Sequence, residues 1–134
     1  MKYLLDTHIW LWSVVDPSRL GIQVAEILAN PDTEIWLSSM SVWELGILVR
    51  KKRFELSGSI SDYSTWVQKA LSMTPLREAV LNHEICRLSN LINLPHQDPV
   101  DRILAATAKA NDLTLVTADE LLLKCRDIST LPNR

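Results

Sequence analysis

An α/β fold, built on a parallel sheet with helices on both faces, is what this sequence predicts. Short apolar runs alternate with longer segments of helical period. Pairs such as Asp16-Pro17 and Asn30-Pro31 separate them as breakers. Acidic residues stand at the joints, directly after apolar runs or at helix starts. Strands that alternate with helices pair in parallel and are covered on both sides.

The elements follow in order. Tyr3, Leu4 and Leu5 form the first strand and Asp6 ends it. Residues 8–15 are apolar at most positions and read as a largely buried helix. Residues 20–28 form an amphipathic helix with Ile22, Ala25, Ile27 and Leu28 inward. Ile35, Trp36 and Leu37 are a second strand, followed by turn and cap residues over 38–41. Residues 42–49 continue as a helix into the basic cluster Arg50, Lys51, Lys52 and Arg53. A loop is expected over 54–61, then a helix over 62–71 with Trp66, Val67 and Ala70 on one face. Residues 73–76 read as a brief strand, confined to an edge because Pro75 has no N–H. A helix over 77–91 would turn Ala79, Val80, Ile85 and Leu88 inward. Asp98-Pro99 opens the next helix, since proline suits the first helical position, and that helix ends near Asn111. Leu113, Leu115 and Val116 alternate with threonines as a buried strand, and Asp119 follows. Residues 121–123 continue as a short helix, and 128–131 form a last strand.

With 134 residues and 47% hydrophobic content, the chain reads as one domain spanning 1–134. Lys and Arg number 14 against 16 Asp and Glu, a net charge of -2. That balance argues against a protein that coats nucleic acid by bulk charge. It leaves room for a nucleic-acid enzyme, because a bound cation can invert the sign of a local site. Cys86 and Cys125 read as reduced thiols of a cytoplasmic protein. The apolar start MKYLLDTHIWLWSVV is interrupted by Asp6 and His8, and no small-residue cleavage site follows, so it is not read as a signal peptide. No apolar run is long enough to span a bilayer.

In a parallel sheet every strand ends on one edge, and ligands bind along that edge near the switch in strand order. Asp6, Glu44 and Asp119 should gather there, after the first, second and Leu113 strands. Asp98 and Asp101 open a helix fed by a loop, so their convergence is inferred rather than required by topology. Each acid alone has a plain structural explanation. Asp6 can cap its helix. Ser41-x-x-Glu44 and Thr117-x-x-Glu120 match capping boxes, and Asp98 is a good cap before Pro99. Together these explanations weaken, because crowded carboxylates must raise their pKa values or recruit a cation. Oxygen-rich clusters favour Mg2+ or Mn2+. The histidines carry less information. His8 and His96 lie beside the acids, His83 reads as an exposed helix residue, and no paired spacing suggests zinc.

These residues resemble the PIN-domain ribonucleases of the VapC toxin type. The stretches LLDTHIWLW, SSMSVWELGILVRKKRFEL and HQDPVDRILAATAKANDLTLVTAD carry the resemblance across nearly the whole chain. The His-x-Asp-Pro-x-Asp-Arg form of the third resembles one bacterial subgroup. The resemblance implies a three-layer α/β/α sandwich and a metal-dependent endoribonuclease, the toxin of a type II toxin–antitoxin pair. A homodimer held inactive by a small antitoxin is also implied. Asp6, Glu44, Asp101 and Asp119 match the family's catalytic, metal-holding acids, and Asp98 is the subgroup's extra acid. Thr7 and Thr117 match positions where hydroxyls stand beside the metal. RNA cleavage by a water activated on one or two Mg2+ ions, with Mn2+ an alternative, fits this set.

Arg102 and the cluster Arg50, Lys51, Lys52 and Arg53 are candidates for phosphate contacts; a solvated helix end explains the cluster equally well. Trp10, Trp12, Trp36, Trp43 and Trp66 read mostly as core, with room for one or two in a groove for an antitoxin helix. Two rival activities fit less well. A phosphoaspartate phosphatase would want a second Asp where His8 stands, and a receiver domain would want a Lys near Val116-Thr117-Ala118. The remaining alternative is a catalytically silent PIN-like module that only binds a partner.

Overall fold

Every apolar strand residue has a helix to pack against, because the sheet is buried on both faces. In the computed structural model, which describes residues 1–56, 62–95 and 97–134, five parallel strands pair in the order β3-β2-β1-β4-β5. They are β1 (Lys2–Leu5), β2 (Glu34–Ser38), β3 (Arg77–Ala79), β4 (Thr114–Thr117) and β5 (Ser129–Pro132). Side chains alternate between faces along each strand. Leu4 and Leu115 face α5 (His83–Ser89) and α6 (Pro99–Ala110), while Tyr3, Leu5, Ile35, Leu37 and Val116 face the other layer. That layer holds α1 (Thr7–Val15), α2 (Ile22–Ala29), α3 (Ser39–Arg50) and α4 (Tyr63–Met73). A short α7 (Glu120–Leu123) follows β4. The result is the expected α/β/α sandwich.

Several local expectations are corrected. The 3-10 turn Pro17–Arg19 delays α2 until Ile22, so its inward face is Val24, Ile27 and Leu28. Ile22 is 80% exposed and Ala25 is exposed as well. Residues 73–76 are not a strand. Pro75 forces Thr74 to extended dihedrals, which ends α4, and the chain enters the sheet only at Arg77. The single helix expected over 77–91 is therefore edge strand β3 followed by α5, whose cap is Asn82, accepting from the Ile85 N–H at 2.9 Å. Val80 lies between them and is exposed. The Ser41 capping box does not form either. Ser38 caps α3 by accepting from the Met40 N–H, which places Ser41 inside the helix and Glu44 beyond its first turn. Thr117 does not cap α7; Asp119 does, accepting from the Leu121 and Leu122 N–H groups. His96 and residues 57–61 of the expected loop lie outside the described residues.

The helix ends explain two unusual residues. Lys52 and Asp112 both have positive φ, 56° and 53°. Each stands one residue past a helix C-cap, and the next N–H, of Arg53 or Leu113, returns to Leu48 or Ala108 at 2.8 Å. This left-handed closure satisfies carbonyls that the last turn leaves open.

Candidate active site

The strand order changes direction between β1 and β4. The chain builds outward from β1 to β2 and β3, then crosses back to lay down β4 and β5 on the other side. At such a switch point the loops after the two strands diverge and leave a crevice. Asp6 follows β1 and Asp119 follows β4, so both stand at its mouth. The helix α6 leads into the parallel strand β4 and runs back against it, so α6 must begin at the same edge. Asp98 and Asp101 thus arrive there by topology after all. Glu44 comes from α3, which leaves the edge after β2. One cavity of about 250 Å3 is lined by Asp6, Glu44, Asp98, Asp101 and Asp119 together. His8, Ile9 and Trp12 of α1, with Ala118, line the rest of its wall.

The carboxylates are held in different ways. Asp6 is buried, and although it stands at the N-cap position of α1 its side chain makes no capping bond. Its Oδ2 accepts from the Thr117 hydroxyl at 2.6 Å, and that hydroxyl in turn accepts from the Asp119 N–H at 3.0 Å. Thr117 thus joins the ends of both switch-point strands. Burial pushes the Asp6 carboxyl above its ordinary value, against the opposing pull of Thr117 and His8. Burial likewise raises Glu44, with the Asp6 charge adding to it and the Thr7 hydroxyl working against it. Asp119 and Asp98 do serve as caps. Asp98 Oδ1 accepts from Val100 at 2.9 Å and from Asp101 at 3.4 Å. For these two acids the capping explanation and a place on the cavity wall hold together.

Among the described residues, no three Asp, Glu, His or Cys side chains are clustered closely enough to grip a metal ion directly. The acids ring the cavity instead of meeting at its centre. Hard carboxylate oxygens around a gap still suit a cation that keeps several of its waters, as Mg2+ does.

The expected phosphate contacts lie elsewhere. Arg102 donates from Nε to Ser89 O, from Nη1 to Leu94 O and from Nη2 to Ile92 O, at 2.7–2.9 Å. It pins the connection between α5 and α6 and does not line the cavity. Arg50, Lys51 and Lys52 do not line it either. Glu44 and Arg50 are separated by about 9 Å of helix rise, and Lys52 closes the end of α3. Sequence reasoning missed two things. Ser41 is buried and accepts from the Thr7 hydroxyl at 2.9 Å, which ties α1 to α3 behind the acids. Trp12 shares the cavity-facing side of α1 with His8, which the sequence already placed beside the acids, and the spacing of four residues between them was the available signal for Trp12. A larger cavity of about 420 Å3 lies between α3, α4 and β3, but its walls are mostly apolar and hold none of the candidate acids.

The fold, the switch-point edge and the ring of acids define a class, the parallel α/β domains with an acidic crevice at the switch point. The chain belongs to the PIN-domain family, whose model matches residues 3–126. It is 25% identical over 119 residues to Ribonuclease VapC22 of Mycobacterium tuberculosis, covering 89% of this chain and 88% of that protein. Its fold is similar to DNA-bound VapBC from Salmonella typhimurium (TM-score 0.72, 16% identity, 100% of this chain and 99% of the other). VapBC2 from Rickettsia felis, bound to a promoter DNA fragment, is also similar (TM-score 0.70, 19% identity, 98% of both chains).

Proposed function

We propose that this protein is an endoribonuclease that hydrolyses RNA phosphodiester bonds with Mg2+, or Mn2+ in its place, and serves as the toxin of a VapBC-like pair. The observation that carries this reading is the convergence of five carboxylates from four separate segments on one switch-point cavity. Its PIN-domain membership and its similarity to a VapC ribonuclease support it. Asp6, Glu44 and Asp101 would hold the first ion, directly or through water, and Asp119 would complete the set or help hold a second. Asp98 has a capping task and lends its charge to the rim. A bound divalent cation supplies an activated water, a neutralised phosphate and a stabilised leaving oxygen.

The chain's own part is positioning. Thr117 fixes the Asp6 carboxylate against the Asp119 backbone. The Thr7–Ser41 bond holds α1 and α3 together, and with them Asp6 and Glu44. A small antitoxin is the proposed partner, by analogy with the VapBC assemblies whose toxin fold this chain shares. A homodimer in the cytoplasm is the proposed working state. No helix among the described residues is long and apolar enough to cross a membrane.

The test is an Asp→Asn series at positions 6, 101 and 119 with Glu44→Gln. Asn caps helices about as well as Asp. Folded proteins that lose Mg2+-dependent RNA cleavage are expected. A wild type that cuts no RNA with either ion, yet binds an antitoxin-like partner, would replace this reading with the silent module.

A further inference from the structure

The acids explain how a phosphate could be attacked but not how RNA is gripped. A cavity ringed by carboxylates repels a polyanion, and a carboxylate offers a base no face to stack on. Among the described residues, the side chains of the wall that do have such faces are His8 and Trp12. Their rings lie 6.1 Å apart at 54°. Trp12 is half-buried and His8 exposed. On the indole lies Arg19, from the turn after α1, with its guanidinium carbon 4.4 Å from the ring centre. Arg19 is not part of the cavity wall, so Trp12 meets the cavity with one part of its surface and the cation with one face. Among the described residues, no carboxylate lies within ion-pair distance of that guanidinium.

We infer that His8, Trp12 and Arg19 form a subsite for single-stranded RNA, in which an unpaired base stacks on the His8–Trp12 wall and Arg19 takes a backbone phosphate beside it. This rests on the reading of the protein as a ribonuclease and names the side chains of this chain that take a base and its phosphate. Aromatic platforms accept any base, because every base has a π-face. In an A-form duplex those faces are covered by neighbouring base pairs. A guanidinium on an aromatic ring keeps its outer N–H groups available to phosphate while the cation–π contact fixes its position. The subsite also answers the repulsion problem, since it places a cation behind the one wall of the cavity that is not acidic.

The experiment measures binding in the Asp101→Asn background, where cleavage is expected to be lost. The probes are a short single-stranded RNA, its duplex, and an abasic chain of equal length and charge. Trp12→Leu should weaken single-stranded RNA about tenfold, the usual scale of one base–aromatic stack. It should weaken the abasic chain far less, through the released Arg19, and Trp12→Phe should recover most of the loss. Arg19→Gln, at an exposed position, should weaken both single strands and lower the salt dependence by about one counterion. With Asp101 intact, Trp12→Leu should raise KM and largely spare kcat.

The subsite is overturned if Trp12→Leu and Arg19→Gln leave RNA binding unchanged, or if Trp12→Leu weakens RNA and abasic chain alike. If Asp6→Asn still abolishes cleavage in that case, the nuclease reading stands without the subsite. A wild type that does not cleave RNA, yet binds single strands in a Trp12-dependent way, leaves the subsite standing and removes the nuclease. Absence of any single-strand binding removes both.

Discussion

Thr117 joins the ends of the two switch-point strands with a single hydroxyl. Its hydroxyl donates to Asp6 and accepts from the Asp119 backbone. Outer-sphere partners of this kind are commonly worth 10–100-fold in metal affinity or activity. Thr117→Val keeps the buried volume and removes the hydroxyl, so the Mg2+ concentration for half-maximal RNA cleavage should rise by about that factor, with Thr117→Ser close to wild type. Asp6 also carries a pH signature. Burial raises its carboxyl in the folded protein, so between the ordinary carboxylate range and the raised value the native state binds more protons than the unfolded chain. Metal-free stability therefore falls as pH rises through that window. Asp6→Asn removes this charge and should melt higher than wild type at neutral pH without metal. The advantage should vanish on acidification below the ordinary carboxylate range. On the proposed function, Mg2+ should raise the melting temperature of wild type more than that of the variant, as a ligand of the folded state alone would.

Among the elements, α6 with β4 was the most legible and β3 with α5 the least. Asp98-Pro99 announces a helix start by backbone chemistry alone, and Ile103 to Ala106 then supply its buried side. The strand β3 is three residues long, sits at the sheet edge and has only Ala79 buried, so no two-residue period could announce it. The site acids were legible because strand ends and helix starts are set by short-range chemistry. Ser41 was not, because its partner Thr7 is 34 residues away and its local pattern matched a cap. Arg102 was misjudged for a related reason. A guanidinium next to an acid suggests phosphate, whereas the carbonyls it binds belong to a loop the sequence leaves featureless. Its structural task predicts that Arg102→Lys, which loses the planar fork, costs about 2 kcal/mol in urea unfolding. Cleavage should fall in step, since the same loop leads into Asp98 and Asp101.

Across the whole molecule, residues 133 and 134 return to the turn after the first helix. Asn133 accepts from the Gly21 N–H at 2.7 Å and donates to Arg19 O at 3.0 Å, while its own N–H extends the sheet to Thr117 O. A Cβ on Gly21 would stand 2.0 Å from the Arg134 backbone oxygen. Gly21→Ala should therefore cost about 1–3 kcal/mol by equilibrium denaturation. Deleting Arg134 in the same protein should relieve part of that cost, a coupling that independent sites would not show.

The crossover at the switch point also imposes an order in time. During synthesis Asp6 and Glu44 emerge early, but the strand that must lie beside β1 begins only at Thr114. Pairing β1 with β4 closes a loop of more than a hundred residues, a slow event compared with forming any one helix. Until that closure Asp6 has neither its Thr117 partner nor Asp119 beside it. The candidate site is thus incomplete until residues 114–119 have been made and β4 has paired with β1. For a protein proposed to poison the cell that makes it, this interval is when a partner already present could take hold of it before it can cut anything.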